Sequence, residues 1–255
     1  MNKKRLRKTL IGLIVPALLL VIWHIISSSG KSSELIMPKL SSIAAAFRDY
    51  AAKGIILSDL GSSFSIVLRG YAVGALAGLT LGILMGIRRN LYDLLAPLFN
   101  AVRQIPPLAW IPLLILWMGI GDSAKIVLIG LGVFFPVLLN TIGGIREVSD
   151  KYLEFAHNYK VREFDIFRGI LLPGAMPSIF VGLRLGASTA WMSIVAAEMI
   201  AAVAGVGYRI STARNMMETA VVIAYMVIIG LVGGLMDALL RSLERKSARW
   251  KKASK

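Results

Sequence analysis

Arg103-Gln104-Ile105-Pro106, Arg184 and Glu198 put charged and polar groups inside long apolar stretches of this chain. Charge away from water is expensive, so such a residue faces a cavity, a partner side chain or the membrane interface. Arg184 and Glu198 are 14 residues apart, close to four helical turns. On one helix they share a face about 21 Å apart and cannot pair with each other. Two readings stand for each, a partner on another helix or contact with a passing solute, and Glu198 has a third, a place at the outer interface. Arg103 either snorkels to the inner surface or forms an inner gate or anion contact. A second group lies in a polar segment between apolar runs. Tyr152, Phe155, Ala156 and Tyr159 recur at i, i+3, i+4 and i+7, with Glu154 beside them. That spacing predicts a short helix with an aromatic stripe, suited to docking in another protein's groove. Catalysis has no such constellation. The chain has no cysteine, which excludes thiol chemistry and disulfides. His24 and His157 stand apart without ligand spacing, so no metal is expected. No pair of carboxylates and no Ser/His arrangement looks catalytic.

The elements that must position these residues are apolar helices. The 255 residues are 56% hydrophobic with mean hydropathy +0.72, beyond an ordinary soluble domain and in keeping with a polytopic membrane protein. Six segments are long enough to cross a bilayer, roughly 9–28, 60–87, 93–118, 124–145, 174–200 and 220–241. The first follows Lys3-Lys-Arg-Leu-Arg-Lys8 and is expected to be an uncleaved span. With the N-terminus inside, inner segments hold 19 Lys and Arg against six in outer ones, the other four lying within spans. The positive-inside rule then places both termini and the 146–172 loop in the cytoplasm. The net charge of +15 sits mostly at the ends of apolar runs, which argues against a nucleic-acid partner and for membrane lipid.

Three further patterns bear on packing. Gly70, Gly74, Gly78, Gly82 and Gly86 recur every fourth residue, a ridge that lets another helix approach closely. Pro106, Pro107 and Pro112 remove backbone donors within the third span, which is expected to kink or break. Residues 38–57 predict an amphipathic outer helix, since Ile43, Ala46, Phe47 and Tyr50 keep helical spacing. The 201–219 segment reads as a polar outer loop.

The loop Glu154-Phe-Ala-His-Asn-Tyr-Lys160, followed after nine residues by Ile170-Leu-Leu-Pro173, resembles the "EAA…G…I-x-L-P" cytoplasmic loop of bacterial ABC importer permeases. Glu154, Ala156, Ile170, Leu172 and Pro173 fall in place. Phe155 stands at an Ala position and Lys160 at the Gly position. If that Gly takes φ > 0, Lys160 carries strain there. Arg103-Gln-Ile-Pro106, Ile111-Pro-Leu-Leu-Ile-Leu-Trp117, Leu172-Pro-Gly-Ala-Met-Pro177, Gly182-Leu-Arg184 and Ala197-Glu198 resemble the subfamily serving aliphatic sulfonate, taurine and nitrate importers, and are most similar to the sulfonate permeases.

The resemblance implies an all-α polytopic fold of about six transmembrane helices, a type I-like ABC importer permease. One permease domain would span 1–255, with a coupling loop at 147–173. It also implies a homodimer in the bacterial inner membrane, with two ATPase subunits on the cytoplasmic side and a solute-binding protein outside. Tyr152, Glu154, Phe155, Ala156, Tyr159, Lys160, Ile170, Leu172 and Pro173 would form the docking element. Arg103, Gln104, Pro106, Arg184 and Glu198 are the pathway candidates. No G-x-x-x-x-G-K-[S/T] phosphate loop occurs in the chain, so it is not expected to be an enzyme. ATP and Mg belong on the partner, and this chain is expected to bind no cofactor. The competing reading is a channel or ion-coupled transporter, which calls for intramembrane carboxylates or an inverted repeat.

Overall fold

A computed structural model describes residues 3–29, 35–148 and 162–248, all helix and connecting turns, with no strand among the described residues. The helices are α1 (Lys3–Ser28), α2 (Leu40–Ala52), α3 (Ile55–Ile87), α4 (Arg89–Val102), α5 (Ile111–Met118), α6 (Asp122–Arg146), α7 (Glu163–Ala201), α8 (Val206–Asn215) and α9 (Thr219–Ala248). Four of them, α3, α6, α7 and α9, are long and apolar enough to cross a membrane. The bent pair of α4 with Pro107–Met118 is apolar enough to count as a fifth if its two arms form one broken span. In α1 the apolar stretch Ile14–Ser28 is shorter. Ile14, Val15, Leu18, Leu19 and Val21 are exposed around it, the surface of a helix whose solvent is lipid.

The chain divides into two compact units, Met1–Ser58 with Arg209–Ile228, and Asp59–Tyr208 with Ile229–Lys255. In the first, Trp23 Nε1 donates to the Pro38 carbonyl at 3.1 Å and Thr219 Oγ1 donates to the Leu35 carbonyl. Tyr50 meets Tyr225 edge-on at 6.0 Å. The helix expected within 38–57 is present as α2, with Phe47 left exposed.

In the second unit α6 is gripped from two sides. A Cβ on Gly70 would meet the Ile129 side chain, one on Gly78 the Phe134 carbonyl and Val137, and one on Gly82 the Thr141 side chain. The every-fourth glycine ridge is therefore the seam where α3 lies against α6. On the other side Gly182 and Gly186 of α7 sit against Asn140, Pro136 and Val133, and Gly144 of α6 sits against Ser178 and the Ala175 carbonyl. Ile129, Val133, Val137 and Leu138 are wholly buried between these surfaces.

One expected break is present, and two segments differ from expectation. The third span is not straight, because α4 and the stretch beginning with the 3-10 turn Pro107–Trp110 cross at 83°. Consecutive prolines at 106 and 107 remove two donors at the corner, and local turns satisfy the rest. Gln104 N–H donates to the Ala101 carbonyl at 3.2 Å and Ala109 N–H to Pro106 at 2.9 Å. The 201–219 segment contains α8, whose Val206, Ile210 and Ala213 are buried. It ends on Met217 at φ 60°, where Glu218 N–H closes onto the Ala213 carbonyl at 2.8 Å. Finally, α7 starts at Glu163, well before the expected 174. Pro173 lacks the N–H that would reach Gly169 and crowds that carbonyl. A π turn, Phe167–Leu171, absorbs the mismatch and the helix runs on through the proline.

Candidate functional site

The docking stripe Tyr152, Glu154, Phe155, Ala156, Tyr159 and Lys160 lies outside the described residues. Three other residues of the expected element, Ile170, Leu172 and Pro173, are described. Ile170 falls in the π turn, and Leu172 and Pro173 open the straight part of α7, all partly buried. Leu171 and Leu172 pack on the cluster of Ile145, Ala175 and Ile179, which joins the end of α6 to the start of α7. The Val148 side chain fills the space above Gly174.

Arg103, Gln104 and Pro106 come together at the α4 elbow, all exposed. Arg103 caps α4, its N–H bonded to the Phe99 carbonyl at 3.0 Å. The bend holds their side chains on an irregular, exposed corner of the backbone.

Arg184 is committed elsewhere. Its guanidinium lies 3.3 Å from Glu244 and 3.9 Å from Asp237, both on α9. Asp237 also binds Arg241 at 2.6 Å. These contacts supply the interhelical partner that a charge inside a membrane protein needs.

Glu198 is 1% exposed, enclosed by protein near the C-terminal end of α7. Ser63 Oγ, on α3, shares its proton between the two carboxylate oxygens at 2.7 and 3.0 Å. Gly207 N–H donates to Oε2 at 2.9 Å, and Val206 N–H donates to Ser63 Oγ at 3.1 Å. Gly205, at φ +108°, lies so close to the carboxylate that any Cβ there would collide with it. A Cβ on Gly207 would strike the Val195 carbonyl. Both glycines are needed for the turn to fold over the acid. Ser63, Gly205 and Gly207 were missed from sequence. The Gly-x-Gly shortly after Glu198 was the available signal. Nearby, Lys125 is 8% exposed. It reaches Asp122 at 3.0 Å, which Arg69 also approaches at 3.4 Å.

A chain of broken and bent apolar helices, with a polar loop feeding the central pair, is matched over residues 74–249 by one family model, binding-protein-dependent transport system inner membrane component. The chain belongs to that family. The permease is 37% identical over 240 residues to the putative aliphatic sulfonates transport permease protein SsuC of Bacillus subtilis, covering 94% of this chain and 87% of that protein. It is also 37% identical over 239 residues to the protein of the same name from Escherichia coli, covering 94% and 91%. Among solved structures it is similar to the MetNI methionine ABC transporter, with a TM-score of 0.68 at 17% identity over 77% of this chain and 98% of that one. That likeness concerns the fold of the permease. The all-α ABC importer permease expectation is borne out.

Proposed function

We propose that this permease is the translocating subunit of an ATP-driven importer for a small organic anion, an aliphatic sulfonate in the first place, with taurine or nitrate as related solutes. The observation that carries the reading is the 37% identity, across 94% of the chain, to two permeases named for aliphatic sulfonates. The charge distribution supports both termini inside, in the bacterial inner membrane. Two copies would enclose the pathway, with the exposed elbow of Arg103, Gln104 and Pro106 near it. Two ATPase subunits holding ATP and Mg would dock on the 147–173 loops, and a solute-binding protein would deliver from outside. The permease's own residues bind and move; bond-breaking belongs to the ATPase. Closure of the ATPase pair draws the docking loops together, and α7 carries that displacement along the bundle until the pathway opens outward. Hydrolysis releases the loops and resets it.

The test is reconstitution in liposomes with the cognate ATPase and binding protein, using ethanesulfonate, taurine and nitrate as separate probes. ATP-dependent uptake, strongest for ethanesulfonate, is the expected result. Uptake that runs without the ATPase, on an ion gradient alone, would overturn the reading in favour of an ion-coupled transporter.

A further inference from the structure

The joint made by Ser63, Glu198 and the turn through Gly205 and Gly207 has as yet no part in transport. A carboxylate that is 1% exposed costs several kcal/mol unless its charge is met by donors. Here it receives the Ser63 hydroxyl and the Gly207 N–H, while the Val206 N–H holds the serine. The last turn of α7 and the first turn of α8 are thus tied at one acid to α3, 135 residues earlier in the chain. A joint built merely to fill space would use apolar side chains, which are less costly to bury. Hydrogen bonds to a charge add direction, fixing the turn to α7 at a set orientation.

The position of the joint gives that orientation a use. The helix α7 is continuous from Glu163 to Ala201, 39 residues, or about 58 Å at 1.5 Å per residue. One end emerges from the 147–173 loop. At the other, three residues before the helix stops, stands Glu198. The turn that Glu198 holds exposes Val203 (87%), so it presents a surface outside the helix bundle.

We propose that Glu198 is a positioning residue that clamps the α7–α8 turn to the far end of α7, so that a displacement begun at the docking loop moves this turn, and the outer mouth of the pathway it borders, in step. This rests on the transport reading above and on its orientation. Glu198 then acts through the turn and never touches the solute, in place of the direct contact that its charge first suggested.

The experiment uses the full reconstituted complex with ethanesulfonate as probe and compares wild type with Glu198→Ala, Glu198→Gln and Ser63→Ala, each at wild-type subunit stoichiometry. The readout is uptake per ATP hydrolysed, taken on complexes isolated at full stoichiometry by size exclusion and matched to wild type in unfolding midpoint, so that loss of fold does not enter the ratio. A hydrogen bond to a charged group contributes roughly 1.5–3 kcal/mol, so losing the joint is expected to lower this ratio about tenfold or more in Glu198→Ala. Glu198→Gln keeps the shape and part of the bonding and is expected to fall between. As the chain has no cysteine, Val203→Cys is a unique label site. Its maleimide labelling rate is expected to change with ATP in the wild-type background and to lose that dependence in Glu198→Gln. An unchanged uptake-to-ATP ratio in Glu198→Ala and Glu198→Gln, with ATP-dependent labelling intact, would overturn the proposal. Absence of ATP-dependent uptake by the wild-type complex would instead overturn the transport reading, so the two failures are distinct.

Discussion

Gly74→Ala adds one methyl group at the tightest point of the α3–α6 seam. Its Cβ would overlap the Gly130 carbonyl and stand 2.9 Å from both Gly130 Cα and Val133 Cβ, where ordinary contact is 3.4–4 Å. Two of these neighbours are backbone atoms, so no rotamer change makes room, and the helices must part by at least about 0.5 Å. A gap of 0.5–1 Å forfeits about a quarter to a half of each dispersion contact, each contact being about 0.1–0.2 kcal/mol. Over the several tens of atom pairs along a five-glycine seam the loss is about 1–3 kcal/mol, the range typical of overpacking. Alanine returns up to about 1 kcal/mol in helix propensity. Gly61 is the control, for it lies on the same helix and a methyl group added there would have nothing within 4 Å. Gly61→Ala therefore keeps the propensity gain without the clash. Thermal or SDS-induced unfolding of the purified permease in detergent should rank the variants Gly61→Ala, wild type, Gly74→Ala, from most to least stable. If Gly74→Ala matches or exceeds Gly61→Ala, the close approach of α3 to α6 is wrong.

Truncating Phe155 and Tyr159 together to Ala should remove anchors that commonly contribute about 2 kcal/mol or more each, so the ATPase should co-purify poorly while the permease still inserts. Unchanged co-purification would remove the docking role. Arg103→Gln should lower ethanesulfonate uptake with assembly intact, and Arg103→Cys should react with a water-borne thiol reagent. Normal transport, with labelling from the lipid side alone, would put Arg103 at the headgroups. Arg184→Ala leaves Glu244 without its α7 partner, while Asp237 keeps Arg241, and should destabilise by about 1–3 kcal/mol, below the full buried-pair range because these side chains are partly exposed. Equal unfolding midpoints for Arg184→Ala and wild type would show the pairing to be incidental.

What the sequence made legible were features with a period or a forbidden residue. The glycines at 70 to 86 announced a seam because close packing calls for a missing side chain every fourth position on an apolar helix. Pro106, Pro107 and Pro112 announced the break, though the angle of 83° depends on what α4 and α5 pack against. Pro173 misled, because a single turn of different pitch lets a helix continue through a proline. The helix α8 was hidden by its own composition: Val206, Ile210 and Ala213 keep i, i+4, i+7 spacing, but Arg209, Ser211 and Thr212 between them dilute it. The charged residues were legible as expensive and in need of partners. Which partners they have was not, since Ser63 and Glu198 are 135 residues apart and no local pattern joins them.

The glycine seam also sets a timetable for biosynthesis. Gly70 on α3 closes against Ile129 on α6, roughly 60 residues later in the chain, which is about 3–12 s of synthesis at the usual 5–20 residues per second. For that interval α3 has left the ribosome with a groove of bare backbone and no helix to fill it. Lipid chains or an insertion chaperone must occupy the groove until α6 arrives, and α4 and α5 must enter the bilayer without taking its place. Slowed elongation between α3 and α6 would lengthen the exposure, and the newly made chain would become a target for membrane proteases before its first tight helix pair could form.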